Sequence, residues 1–321
     1  MLLKPKRSSP RNAISANIAI TLKNQLVKRG LKLDSVFIKE ERIPVIAEAL
    51  KSISSSLMNL IHRDPQYKAV KTIAESHSEG DAALLVLLNS LISYQLSIPG
   101  EEYWLKFAEF FGKLQSKDLR AAFREFLKST RCTRSLDQKI GRIGKVIAAS
   151  TAQRILEEPL YYCNRLNQLI SELSRVLGVR EDSKTLVFAA KMYGYFCMCR
   201  GVSIDYGDIA IPVDYRNSLL AITSCLIEYS ECRYVEECAR SLTTGPPAGK
   251  VREVWRRVCE YAETPCLLLD VFTWLFTGVA VEEYLNPEKT WETMKNKYSF
   301  EIPRRVVELL LECRVMHKQN V

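Results

Sequence analysis

The sequence predicts an all-α fold, and two observations lead to that class. Apolar residues recur at intervals of three and four along nearly the whole chain, which is the period of a helix with one buried face. The one stretch with a weak two-residue alternation, 201–212, is short, isolated and interrupted by Gly207. We therefore expect helices packed on helices to form the core.

End signals and periodicity place the helices in order. The first pattern covers residues 42–62, and the next helix is expected to begin at Pro65 with Asp64 as its cap. Asn286 and Pro287 give a similar start near the C-terminus. The remaining predicted helices cover about 80–96, 101–114, 117–128, 135–157, 164–177, 182–199, 214–229, 231–241, 248–263, 266–279, 287–297 and 302–316.

Two segments are predicted to lie outside helices. Residues 201–212 are expected to form an ordered loop that leads to Asp214. Residues 243–250, TTGPPAGK, predict a turn or exposed loop because glycine and proline dominate them. No strand is therefore expected.

Composition indicates an ordinary soluble protein. Of the 321 residues, 47% are hydrophobic and 26% are charged. The apolar run at 81–94 is too short and too polar at its ends to cross a bilayer. The first residues lack the apolar core of a secretory signal. We expect a cytosolic protein that does not associate with membranes.

Positive charge is concentrated at the N-terminus. Eight basic and no acidic residues precede Asp34, and they account for all but one of the net +9 charges. This predicts a basic, flexible arm over residues 1–35 and a helical domain over 36–321. A basic arm on a near-neutral body is typical of a protein that binds nucleic acid or another polyanion, but a solvated tail has the same composition.

The cysteine pattern gives no sign of a metal site. The ten cysteines include no C-x-x-C pair, and the chain has only three histidines. Most cysteines fall in helical apolar patterns, where we expect reduced thiols, unless the source is a hyperthermophile with intracellular disulfides. A Gly-rich phosphate loop, a G-x-S-x-G elbow and an H-E-x-x-H helix are also missing. No metal or cofactor is therefore expected.

Residues 164–199 have the outline of a helix–hairpin–helix. An amphipathic helix is expected to end at Gly178, the polar link VRED follows, and a second helix begins near Ser183. Such a hairpin exposes backbone N–H groups that suit a phosphate of DNA.

Lys184 stands at the start of the second hairpin helix and has two interpretations. It is spaced i, i+4 and i+7 with Phe188 and Lys191, so the three share one face. An amine beside an aromatic ring at the edge of an apolar surface can act as a nucleophile. A solvated lysine in the first turn of a helix fits the same pattern.

The other polar and aromatic candidates are equally open. Asp214 precedes the run YRNSLLAI and is either an N-cap or a partner of Lys184. Asp270 is embedded in LLLDVF, where a buried carboxylate is costly without a donor, and it shares a helix face with Trp274. Phe188 and Trp274 are either core residues or two walls that stack on a flat base.

Six short motifs occur in an order that resembles one family. They are RDPQY (63–67), LLNSLISYQL (87–96), GEEYW (100–104), KTLVF (184–188), IPVDYR (211–216) and LLDVFTWL (268–275). Together they closely resemble the archaeal 8-oxoguanine DNA glycosylase (AGOG) family, a divergent branch of the helix–hairpin–helix glycosylases. The resemblance begins near residue 40 and leaves out only the basic arm. It implies a helix–hairpin–helix glycosylase fold with the active site in a cleft between helical subdomains.

The resemblance also implies a role for each matching residue. Lys184 falls on the Schiff-base lysine and Asp214 on the catalytic aspartate, both within a hairpin region at about 164–216. Phe188 and Trp274 fall on the aromatic residues that sandwich the base. Gln66, Trp104 and Asp270 match positions that recognise the edge of the oxidised base, and Ser93, Lys191 and Pro212 are weaker matches.

These matches imply a bifunctional DNA N-glycosylase and AP lyase that acts in base excision repair. It would excise 8-oxoguanine from double-stranded DNA through a Schiff base on Lys184, with help from Asp214, and cut the strand by β-elimination. We expect a monomer in the cytoplasm of an archaeal cell. Two alternatives stay open: a non-catalytic helical nucleic-acid-binding protein, and a glycosylase for another damaged purine.

Overall fold

The structure, a computed structural model, describes residues 35–114, 118–230 and 234–314. Helices account for most of these residues, and one antiparallel pair of short strands is the remaining regular structure in the described ranges. The predicted all-α class is therefore confirmed. Apart from Ser35, the predicted basic arm over 1–35 lies outside the described residues.

The helices follow one another with short connections. In chain order they are α1 Arg42–Lys51, α2 Leu57–Ile61, α3 Pro65–Ser76, α4 Glu79–Ile92, α5 Gly100–Phe111, α6 Leu119–Ser129, α7 Leu136–Ile147, α8 Ser150–Glu157, α9 Leu166–Leu177, α10 Lys184–Cys199, α11 Tyr215–Thr223, α12 Val235–Ser241, α13 Gly245–Tyr261, α14 Cys266–Glu282, α15 Pro287–Tyr298 and α16 Arg304–Leu310. A 3-10 turn, Ser54–Ser56, precedes α2. The strands are β1 Val36–Ile38 and β2 Ile227–Tyr229.

The strand pair corrects the helix predicted over 214–229. Helix α11 ends at Thr223, and Cys225 then adopts a left-handed backbone with a φ of 60°. Strand β2 pairs antiparallel with β1, with Val36 opposite Tyr229. A right-handed helix cannot continue through a left-handed residue, and β-branched and aromatic side chains favour the extended backbone. Pairing with a distant segment therefore decides the conformation here.

Two predicted long helices are each divided in two. The pattern over 42–62 is interrupted where Ser52 and Ser54 donate hydrogen bonds to backbone carbonyls at 2.6 and 2.8 Å. Such bonds compete with helical hydrogen bonding. The pattern over 135–157 breaks at Ala149, whose backbone is extended before α8 begins.

The turn predicted over 243–250 is mostly helix. Helix α13 begins at Gly245, and Pro246 lies in its first turn. A proline there costs no helical hydrogen bond, because the first N–H groups of a helix have no partner within it. The Gly-Pro-Pro sequence thus marks the start of a helix instead of a loop.

Three helices with apolar residues on nearly all sides form the centre of the core. Helices α4 and α14 bury almost every residue, and α10 is buried beyond its first turns. Helix α10 packs along α4 and α3, and α11 packs on α14. The first turn of α10 is left at the surface, next to the N-terminal end of α11.

Among the described helices, none is by itself long and apolar enough to cross a membrane. By length and composition alone, α13 and α14 together are long and apolar enough, and the two helices are bent by 112° relative to each other.

The cysteines pair more often than the sequence indicates. Disulfide bonds join Cys163 to Cys197, Cys225 to Cys313, and Cys259 to Cys266. Cys132 and Cys199 carry free thiols. The expectation of reduced thiols is therefore wrong for the paired residues, because tertiary folding brings together cysteines whose spacing along the chain gives no sign of it.

We expect Cys225→Ser to lower the free energy of unfolding by about 2–4 kcal/mol under oxidising conditions. The disulfide to Cys313 closes a loop with a sequence separation of 88, so its loss frees the unfolded chain. Urea denaturation with and without reductant measures the effect, with Cys199→Ser as the matched control. A loss of equal size in reducing buffer would argue against the cross-link as its cause.

Candidate active site

The hairpin between α9 and α10 brings the first turn of α10 to the surface. Gly178 ends α9 in the left-handed conformation with a φ of 64°, and the N–H of Val179 donates to the carbonyl of Ser174 at 3.2 Å. The Ser174 hydroxyl donates in return to the Val179 carbonyl at 2.6 Å. Glycine suits this position because other residues are strained there. Ser183 occupies the N-cap position of α10 without a side-chain capping hydrogen bond, and α10 begins at Lys184, so the two helices and the turn between them lie where the sequence predicts them.

Lys184 and Asp214 meet at this end of α10. Nζ of Lys184 lies 3.7 Å from Oδ2 of Asp214, and the two side chains are 49% and 14% exposed. Asp214 also caps α11, because its Oδ1 accepts from the N–H of Asn217 at 2.9 Å. Asp214 is therefore an N-cap through one carboxylate oxygen and lies beside Lys184 through the other.

A second lysine–aspartate pair lies in the interior, two turns further along α10. Nζ of Lys191 lies 2.6 Å from Oδ2 of Asp270, and both side chains are 2% exposed. The side-chain amide of Asn217 donates to Oδ1 of Asp270 at 2.7 Å. Burial raises the pKa of Asp270 above its ordinary value, and the charge of Lys191 opposes that shift. The carboxylate within LLLDVF thus has a donor at each oxygen.

Asn217 joins the two pairs, although the sequence predicted no role for it. Its amide donates a second hydrogen bond to the Pro212 carbonyl at 2.9 Å, and its Oδ1 accepts from the hydroxyl of Thr273 at 2.8 Å. The residue is fully buried. An amide side chain inside the apolar run NSLLAI was the available signal, because a buried amide needs partners.

Gln66 reaches the same interior from α3. Asp64 accepts from the backbone N–H of Gln66 at 2.8 Å and from the hydroxyl of Tyr195 at 2.7 Å. The ring of Tyr195 lies 5.7 Å from Nζ of Lys191, and burial raises the pKa of Asp64. Oε1 of Gln66 is buried without a hydrogen-bond partner among the described residues. It is therefore an acceptor that a donor on a ligand can use.

The predicted aromatic walls are both half-buried and have different neighbours. The ring of Phe188 meets the buried indole of Trp104 edge-on, with 6.1 Å between centroids. The guanidinium of Arg216 lies 4.1 Å from the ring centroid of Trp274, and Nζ of Lys191 lies 5.9 Å from it. Each wall is therefore supported by a second side chain.

Arg216 fixes both the ring and the backbone of Trp274. It donates to the Trp274 carbonyl at 3.1 Å and to Oε1 of Glu101 at 2.8 Å. Gly278 leaves space for the guanidinium, because a Cβ at that position would lie 2.8 Å from Nη1 of Arg216. Arg216 belongs to the motif IPVDYR, but nothing in that motif indicates this role.

Two of the predicted site residues, Ser93 and Pro212, are linked less directly to the other predicted site residues. The hydroxyl of half-buried Ser93 donates to the carbonyl of Asn89 at 2.7 Å, so it stays within its own helix end. Pro212 is buried and reaches Asp270 through Asn217. Among the predicted residues, Lys184 contacts Asp214, Lys191 contacts Asp270 and Trp274, and Phe188 contacts Trp104.

The helical fold and the hairpin that holds Lys184 beside Asp214 agree with the class that the six motifs resemble, the helix–hairpin–helix DNA glycosylases. The family model described as AGOG, N-glycosylase/DNA lyase, matches residues 47–308. The chain belongs to this family.

Relatives and a solved structure agree with the family. The N-glycosylase/DNA lyase of Pyrobaculum aerophilum is 34% identical over 241 residues, which cover 74% of this chain and 86% of the relative. That of Aeropyrum pernix is 30% identical, and the alignment covers 85% of this chain and 94% of the relative. The crystal structure of the 8-oxoguanine DNA glycosylase Pa-AGOG from Pyrobaculum aerophilum, complexed with 8-oxoguanosine, matches with a TM-score of 0.66 and 28% identity, covering 85% of this chain and 97% of that chain.

We expect Lys191→Met to lower the free energy of unfolding by about 3–5 kcal/mol at neutral pH, because it leaves the buried carboxylate of Asp270 unpaired. The loss should shrink as the pH falls. Because its pKa is raised, Asp270 takes up a proton at a higher pH in the folded protein than in the unfolded chain. Its charge therefore destabilises the folded protein only at pH values above the pKa that Asp270 has in the unfolded chain.

Urea denaturation of this variant at pH about 5 and about 8 measures the difference. Lys71→Met is the matched control, because Lys71 is an exposed lysine that pairs with Glu75 at 3.8 Å. An equal loss at both pH values would contradict the assignment to Asp270.

Proposed function

We propose that this protein excises 8-oxoguanine from duplex DNA and then cleaves the strand 3′ to the resulting abasic site. Membership of the N-glycosylase/DNA lyase family and similarity to the Pa-AGOG complex support the reaction and the substrate. The observation that carries the proposal is the 3.7 Å distance between the half-exposed amine of Lys184 and Oδ2 of Asp214. An accessible amine beside a carboxylate supplies a nucleophile and a proton acceptor together.

The proposed reaction uses only these two side chains and water. The lone pair of neutral Lys184 bonds to C1′ of the nucleotide as the bond between C1′ and the base breaks, and the bonding electrons leave with the base. Asp214 accepts the proton that the amine releases, and the departing base takes up a proton. The sugar opens to an imine on Lys184, loss of a proton from C2′ expels the 3′ phosphate, and water hydrolyses the imine.

We assign recognition of the base to the interior part of the site. Phe188 and Trp274 would stack on its two faces, which is worth about 1–3 kcal/mol per aromatic contact. Their half-burial supports this role, because a fully buried ring has no face left for a ligand. The polar edge of the base would meet residues from several helices and from the segments that adjoin them: Gln66, Ser93, Trp104, Lys191, Pro212 and Asp270.

We further propose that residues 36–321 form one catalytic domain that acts as a monomer on the DNA of the cytoplasm. The proposed site supports a single domain, since it draws on α3, α10, α11 and α14. The basic arm over 1–35 would raise the affinity for DNA and would take no part in the reaction.

We expect Lys184→Gln to abolish borohydride trapping on duplex DNA that carries one 8-oxoguanine. Glutamine is polar and one methylene group shorter than lysine, and it has no amine to form the imine. Denaturing gel electrophoresis detects the covalent complex, and Lys71→Gln, at an exposed lysine, serves as the control.

Three outcomes of the trapping experiment would count against the proposal. Base release without any trapped complex would mean hydrolysis without a Schiff base. Release of hypoxanthine from a second duplex that carries that base, without release of 8-oxoguanine from the first, would mean that another damaged purine is the substrate. Neither release nor trapping on any damaged base would favour a non-catalytic DNA-binding protein.

We expect Phe188→Ala to slow excision of 8-oxoguanine by about 10- to 100-fold, because one stacking face is lost. Cleavage of DNA with a preformed abasic site should be much less affected, since that substrate has no base to stack. Single-turnover assays on the two substrates measure the ratio. A parallel fall in both rates would contradict a role limited to the base.

A further inference from the structure

Asn217 makes hydrogen bonds to the aspartate of each lysine–aspartate pair in the candidate site. Its backbone N–H donates to Oδ1 of Asp214 at 2.9 Å. Its side-chain amide donates to Oδ1 of Asp270 at 2.7 Å and to the carbonyl of Pro212 at 2.9 Å. The backbone thus contacts the residue paired with Lys184, and the side chain contacts two residues of the interior part.

The surroundings allow the Asn217 amide only one orientation. Its Nδ2 faces a carboxylate oxygen and a carbonyl oxygen, which accept hydrogen bonds and donate none. Its Oδ1 faces the hydroxyl of Thr273 at 2.8 Å, which can donate. A rotation of the amide by half a turn would place oxygen against oxygen on the Asp270 side. The fully buried side chain is therefore held as a fixed donor.

The hydrogen bonds of the Asn217 side chain also fix the two groups that accept them, the Asp270 carboxylate and the Pro212 carbonyl. With Asn217 on Oδ1 and Lys191 on Oδ2, the carboxylate plane of Asp270 is set by donors from two different helices. The second N–H of the amide holds the carbonyl of Pro212, in the loop that leads to α11. The indole N–H of Trp255 donates to the Asn217 carbonyl at 3.0 Å, which anchors the residue itself.

We infer that Asn217 is a positioning residue for recognition of the damaged base, and that it acts through Asp270 and Pro212. This inference rests on the proposed function. Its side chain holds the interior contacts, whereas the cap on Asp214 comes from its backbone N–H, which every substitution except proline retains. Base recognition and strand cleavage are therefore separable at this residue.

The decisive variant is Asn217→Leu, which has a similar volume and no donor. It leaves Oδ1 of Asp270 and the Pro212 carbonyl without the amide, while the N–H that caps Asp214 remains. We expect single-turnover excision of 8-oxoguanine to fall by about 10- to 100-fold, the range for a lost hydrogen bond to a charged group. Cleavage and borohydride trapping on a duplex with a preformed abasic site should stay close to those of the unchanged protein.

A conservative variant adds a readout that a general loss of stability would not produce. In Asn217→Asp a second carboxylate faces Asp270, and Lys191 and Asp214 are the other charged groups that act on Asp270. Two adjacent carboxyls share a proton, and a protonated aspartate can donate to Oδ1 of Asp270 as the amide does. We expect excision by this variant to recover, relative to the unchanged protein, as the pH falls from about 8 to about 6.

Thermal unfolding of each variant decides which comparison is used. If Asn217→Leu does not fold, Thr273→Val takes its place, because it removes only the hydroxyl that orients the amide and should show the same selective loss of excision. Equal excision by the unchanged protein and the folded variant would overturn the inference, and so would an equal loss of excision and abasic-site cleavage. If the unchanged protein releases no 8-oxoguanine, the proposed function itself fails.

Discussion

The buried ion pair between Lys191 and Asp270 is the constraint around which the candidate site is arranged. Two charges that are 2% exposed are costly to remove from water, and their attraction compensates only when the remaining hydrogen-bonding atoms are also satisfied. Asn217 meets that need at Oδ1 of Asp270, and Thr273 and Trp255 in turn hold Asn217. The pair thereby fixes α10, α11 and α14 relative to one another. The positions of the aromatic walls on α10 and α14 follow from this arrangement.

Helix α10 connects an exposed end of the site to a buried one. Lys184 is its first residue, and Lys191 follows seven residues later, a separation of about 10 Å along the helix axis. In the proposed function, the sugar would lie at the surface end of this helix and the base at its interior end. Lys184 would then reach the sugar, whereas Lys191 is held in place by the carboxylate of Asp270. Phe188, one turn from Lys184, lies between them.

The sequence predicts most helices and the hairpin, because these depend on local periodicity and on Gly178 and Ser183 at the turn. The order of six motifs indicated Lys184 and Asp214 together, although each residue alone is ambiguous. Contacts between distant segments were beyond such reasoning. The sequence of β2 continues the helical pattern, and only its pairing with β1 makes it a strand. Likewise, Cys225 bonds to Cys313, which lies near the C-terminal end of the described residues. Asn217 and Arg216 become important only through the residues that folding places beside them.

The exposure of Lys184 has a consequence for turnover. A nucleophile that forms an imine binds its product covalently, and the protein is free for another substrate only after water reaches the imine carbon. Because half of the lysine side chain lies at the surface, water can approach it without any opening of the apolar core. In the proposed reaction, the step that releases the cut DNA would therefore need no change in the packed interior around Asp270.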